Sequence, residues 1–110
     1  MKRISLLNVL VKNQDAAIEF YTRKLGFVVV KDLPFGAKRW VTLRLPDDPV
    51  LSVAVNLAES EADMALVGKQ AGSQPLFSLQ TDDCLREYRR MSEAGVNFHG
   101  DPQSSRTEPA

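Results

Sequence analysis

The sequence predicts an α+β fold made of two related units, the second of them incomplete. Three observations carry this expectation. Short apolar runs with β-branched residues are separated by Pro/Gly/Asp turns, the pattern of strands. Two helical stretches, Asn13 to Gly26 and Asp82 to Gly95, each span 13 positions from a polar start to a glycine stop, at an offset of 69–70 residues. Finally, 110 residues with 44% hydrophobic side chains make one domain with a real core, burying roughly two thirds of its extended surface.

Residues 4–11 are apolar apart from Ser5 and Asn8 and read as a largely buried strand. The stretch NQDAAIEFYTRKLG follows. Asn13 is a plausible N-cap, Asp15 and Glu19 sit nearer the positive end, and Arg23 and Lys24 lie near the negative end. Ala17, Ile18, Tyr21 and Leu25 recur at helical spacing, and Gly26 supplies the stop. Residues 27–32 form a Val-rich second strand, and Leu33-Pro34-Phe35-Gly36 reads as a turn. Residues 39–45 are a third strand. Pro46-Asp47-Asp48-Pro49 is a turn, and residues 50–57 are a fourth strand. The order so far is β-α-β-β-β. Ser60 onward starts a short helix with Met64, Leu66 and Val67. Residues 76–81 and 96–99 read as strands flanking a helix that Asp82 or Asp83 caps, with Leu85, Tyr88 and Met91 on one side. The division expected is a first module over 1–58, a linker with a short helix over 59–74, and a partial second module over 75–110, all within a single domain.

Composition excludes several functions. Fourteen basic and fourteen acidic residues cancel, which argues against an electrostatic nucleic-acid partner. One cysteine excludes an intrachain disulfide and a structural zinc site built on paired thiolates. One histidine excludes HExxH and any all-histidine triad within the chain. No apolar run approaches the roughly 20 residues that span a bilayer, so no membrane partner is expected and a cytoplasmic location is. Charge is nonetheless uneven: residues 1–44 carry nine Lys/Arg and three Asp/Glu, and residues 45–110 carry five and eleven.

The run Val11-(x)6-Ile18-Glu19-Phe20-Tyr21-(x)3-Leu25-Gly26-Phe27 resembles the opening signature of the vicinal oxygen chelate superfamily, which includes glyoxalase I, extradiol dioxygenases and bleomycin or fosfomycin resistance proteins. Pro34-Phe35-Gly36 and Arg39-Trp40 resemble a bacterial subgroup of small glyoxalase/bleomycin-resistance-like proteins. Thr81-Asp82-Asp83 and Glu93-Ala94-Gly95-Val96 look like the start of a second module. The resemblance covers essentially the whole chain. It implies paired βαβββ modules whose sheets wrap around a cleft, and in metal-bearing relatives four ligands pointing into it. The first ligand position falls on Leu6, the second near Ser52 and the third on Leu76. The fourth lies on a late strand beyond this sequence, and completing the pair of modules would take about 20–30 more residues, including two strands.

Leucine cannot donate to a divalent ion, so neither a metal nor another cofactor is expected, and no catalytic residue is assigned. His99 and the pairs Asp47-Asp48 and Asp82-Asp83 do not restore a site, since both pairs sit where carboxylates satisfy turn and cap backbone. Alternation anchored on the resemblance turns Asn8 inward with Leu6, Ser52 and Asn56 with Ala54, and Ser78 and Gln80 with Leu76. On the third strand either Trp40, Thr42 and Arg44 or Val41, Leu43 and Leu45 face the cleft. The first set is preferred, because the second makes a clean apolar face for a helix. Phe35 and Arg39 flank a loop at the cleft mouth. The expected ligand-binding set is therefore Asn8, Phe35, Arg39, Trp40, Thr42, Arg44, Ser52, Asn56, Ser78 and Gln80. This lining suits a small, partly apolar ligand. The expected function is a metal-free small-molecule-binding protein, forming a homodimer. The alternative is a metal-dependent lyase, isomerase or dioxygenase-like enzyme of the same superfamily.

Overall fold

A computed structural model describes residues 1–96; the strand expected over 96–99, His99 and the C-terminal tail lie outside the described residues from position 97 onward. Contacts divide the chain into two units, Met1–Leu76 and Phe77–Ala110.

The first unit is a βαβββ module followed by a short helix. Strand β1 (Leu6–Val11) leads into α1 (Gln14–Glu19), which runs on as a π-helical turn over Phe20–Lys24. Strands β2 (Val28–Phe35), β3 (Lys38–Arg44) and β4 (Ser52–Leu57) follow, then α2 (Glu61–Leu66). They form one four-stranded sheet in the order β1-β4-β3-β2, with β1 parallel to β4 and the other pairs antiparallel. The parallel pair is possible because a helix and two strands separate β1 from β4 in sequence.

Local chemistry explains these elements. The Asn13 side chain accepts from the Ala16 N–H at 2.9 Å and starts α1. Gly26 takes φ +83°, a left-handed turn that lets the Phe27 N–H reach the Tyr21 carbonyl at 3.0 Å. That turn brings the Phe27 ring edge-on to Tyr21 at 5.1 Å, with Phe20 edge-on to Tyr21 at 5.7 Å. The FY-x3-LGF motif is thus an aromatic cluster closed by a glycine. Burial there pushes the Tyr21 phenol above its ordinary pKa.

One face of the sheet carries the core. Val9, Val41, Leu43, Val53 and Val55 are buried on it, and Ala17 and Phe27 are buried as well. Gln14, also buried, donates through Nε2 to the carbonyls of Val55 and Arg39, both at 3.0 Å. One amide thereby ties the start of α1 to both β3 and β4. The β1 edge of the sheet is treated in a similar way: Gln70 Oε1 accepts from the Leu10 N–H at 2.7 Å, and Gln70 Nε2 donates to the Asn8 carbonyl at 3.1 Å. A side-chain amide there satisfies β1 backbone groups as a neighbouring strand would.

Two expectations change. The second strand does not stop at Asp32: Leu33, Pro34 and Phe35 continue it, and the turn is reduced to Gly36 and Ala37. β2 is an edge strand, so proline's missing N–H leaves no ladder bond broken. Phe35 is consequently a strand residue and not part of a loop. Residues 76–81, expected as a strand, are irregular; a strand needs a ladder partner, and none pairs with them among the described residues.

In the second unit the described element is α3 (Cys84–Glu93). Asp83 is its cap, accepting from the Arg86 N–H at 2.9 Å. The fold is α+β, with one whole βαβββ module and, among the described residues, only the helix of a second.

Candidate functional site

Register across the sheet assigns each strand residue to a face, because residues paired across a ladder share one. Asn8 pairs with Ala54, Ala54 with Thr42 and Thr42 with Lys31. These four form a row running across all the strands, on the face opposite the buried valines. Its middle is floored by two short side chains, Ala54 at 0% and Thr42 at 4% exposure. Trp40 and Asn56 lie two residues away on one flank of the row. Arg44 and Ser52 lie on the other. Leu6 pairs with Ser52, Leu10 with Asn56 and Leu33 with Trp40, so they belong to this face too.

The structure brings together Asn8, Trp40, Thr42, Arg44, Ser52 and Asn56. Asn56 Nδ2 donates to Asn8 Oδ1 at 2.9 Å, which leaves the Asn8 amide donors and the Asn56 carbonyl for other partners. Arg44 Nη1 donates to the carbonyls of Leu45 and Pro46 at 3.1 and 3.0 Å, curling back on its own turn. Phe35 reaches the same face from the end of β2, where it is 72% exposed, opposite Lys38.

Arg39 is placed elsewhere. It is out of step with Trp40 and lies on the helix side, where its guanidinium grips Asp32 through two bonds of 2.8 Å and Asp15 through one of 2.7 Å. The guanidinium holds the Asp32 carboxyl below the usual carboxylate range, and the two carboxylates push the Arg39 pKa up. Ser78 and Gln80 are exposed, irregular residues of the second unit.

Sequence reasoning missed Lys31 and Leu33 on the site face. For Leu33 the signal was alternation continuing past Asp32, hidden by reading Pro34 as a turn; Lys31 takes its face from a register shift between Val29 and Lys31, which alternation alone does not reveal. It also missed Gln14 and Gln70, whose roles rest on pairings distant in sequence. The acidic pairs behave partly as turn chemistry predicts: Asp48 accepts from the Val50 and Leu51 N–H groups, both at 3.0 Å, and these bonds hold its carboxyl below the usual range.

The donor set bears on metal chemistry. The first two ligand positions that the family resemblance implies, Leu6 and Ser52, sit opposite each other in the β1–β4 ladder. An aliphatic side chain beside a neutral hydroxyl does not fit a divalent ion that takes imidazole and carboxylate ligands. Among the described residues no three His, Cys, Asp or Glu side chains gather in a way that could hold one.

A family model described as Glyoxalase/Bleomycin resistance protein/Dioxygenase superfamily matches residues 3–109. The chain belongs to this superfamily. Among curated superfamily relatives, the uncharacterized protein YurT of Bacillus subtilis (strain 168) is 34% identical over 105 residues, covering 91% of this chain and 80% of YurT. The crystal structure of UcmS2 superposes with a TM-score of 0.82 at 28% identity, covering 99% of this chain and 84% of that one. TnmS3, an antibiotic binding protein from Streptomyces sp. CB03234, has a similar fold, with a TM-score of 0.75 at 24% identity over 96% of this chain and 80% of its own. No helix among the described residues is long and apolar enough to cross a membrane.

Proposed function

We propose that this protein binds a small organic molecule on the Asn8–Ala54–Thr42–Lys31 face of its sheet, without a metal ion. The observation that carries the reading is the Leu6–Ser52 pair, an aliphatic group beside a hydroxyl at two positions where the family resemblance implies metal ligands. The polar groups beside it serve recognition: the Asn8–Asn56 amides and the Thr42 and Ser52 hydroxyls orient a ligand, and Trp40 offers an aromatic surface to stack on. Asn8 and Asn56 satisfy only part of each other's hydrogen-bonding capacity, as a site awaiting a polar partner requires. The same fold serves antibiotic binding in TnmS3. The reading extends to a cytoplasmic homodimer that sequesters, carries or senses its ligand.

The chain has one tryptophan, so all tryptophan fluorescence originates at Trp40 on this face. We expect substoichiometric metal in protein purified without chelator, and a saturable change in Trp40 emission against a panel of small aromatic compounds. Asn56→Leu should weaken that binding. A stoichiometric, tightly held divalent ion would overturn the metal-free reading and restore a metal-dependent lyase, isomerase or dioxygenase.

A further inference from the structure

The two faces of the sheet differ in the sign of their charge. On the helix side Arg39 is matched by Asp32 and Asp15, and Asp32 is the one carboxylate in any of the four strands. The site face carries Lys31, Lys38 and Arg44 and no strand carboxylate.

These three cations are not equivalent. Lys38 Nζ lies 3.4 Å from the Glu59 carboxylate, and Arg44 is bonded to two carbonyls of its own turn. Lys31 is exposed and has no ion pair among the described residues. It closes one end of the transverse row, with the Asn8–Asn56 amides at the other and the small side chains of Thr42 and Ala54 between them. Four adjacent strands put the two ends roughly 14 Å apart. Immediately beside Lys31 lies an apolar strip: Leu33, 53% exposed, is next on the same face of β2, Trp40 is its ladder partner, and Phe35 follows.

We propose that the ligand of this face is an amphipathic organic anion. Its flat apolar body lies against Leu33, Trp40 and Phe35, and its carboxylate, sulfonate or phosphate meets the Lys31 ammonium. The proposal rests on the small-molecule reading above and adds the charge class. Complementarity favours it, since a cationic ligand would meet like charges and no carboxylate on these strands, whereas an anion supplies the partner Lys31 lacks.

The test uses the full chain and two probes with the same rings, 1-anilinonaphthalene-8-sulfonate and uncharged N-phenyl-1-naphthylamine, each titrated against Trp40 emission. The sulfonate should bind about tenfold tighter, as one charge-assisted bond implies, and salt should narrow the gap. Lys31→Gln should bring the sulfonate's affinity down to that of the uncharged probe; Lys31→Arg should keep the preference. Circular dichroism checks that each variant is folded. Equal binding of the probes to the native chain, or a preference that survives in Lys31→Gln, overturns the anion proposal while leaving the small-molecule reading standing. If neither probe alters Trp40 emission, both fall.

Discussion

Arg39 and Gln14 show how much a single side chain settles in this module. Arg39 joins β3 to β2 through Asp32 and to α1 through Asp15. Because Asp32 titrates below its ordinary value when folded, the unfolded chain binds more protons in that window, and stability rises with pH across it. The contribution is complete above the ordinary carboxylate range near ~4 and is lost as pH falls through the depressed value. Arg39→Met should flatten that acid limb in urea titrations run from neutral to acid pH. A stability–pH curve unchanged in shape would rule out the Arg39–Asp32 pair as its source. At neutral pH the loss should be small, since solvent screens these exposed side chains. Gln14→Leu should cost more, about 1–3 kcal/mol, because it deletes one buried and one part-buried amide–carbonyl bond while keeping most of the volume. Equilibrium unfolding reads the difference, and a cost below that of Arg39→Met would contradict the tie between α1, β3 and β4.

At the scale of elements, helices and edges were legible to different degrees. The start of α1 and the Gly26 stop follow from local rules, since an Asn cap and a positive-φ glycine act within a few residues. Asn13→Ala should therefore destabilise the protein by ~1 kcal/mol and lower helical signal by circular dichroism. The extent of β2 was not local. Whether Pro34 ends a strand depends on whether its N–H would face a neighbour, and only the strand order makes β2 an edge. The outer side of β1 depends on Gln70, about sixty positions away. Gln70→Ala should expose that edge. Hydrogen exchange at the Leu10 amide should quicken, with amides in β3 unaffected; unchanged protection at Leu10 would mean that another group covers it.

Over the whole molecule, the sheet, both of its faces and the buried valines belong to the first unit, Met1–Leu76. A chain ending at Leu76 should keep β-sheet circular dichroism and a single cooperative transition, at lower stability because so short a chain buries a smaller share of its surface. Loss of all cooperative unfolding would show that the second unit is needed for the first to fold. The superfamily and the β-α-β-β-β order were readable from the FY-x3-LGF run and the turn spacing, because these reflect contacts within one helix and its exit. So was the period-two alternation of β1, β3 and β4, which puts Asn8, Thr42 and Asn56 on the face opposite Val9, Val41 and Val55. Tertiary structure alone decided that Arg39 serves the helix side, that Lys31 shares a sheet face with Asn8 and Thr42, and that residues 76–81 are irregular. Each of these depends on register or on a ladder partner, and a strand's own sequence does not specify which strand lies beside it.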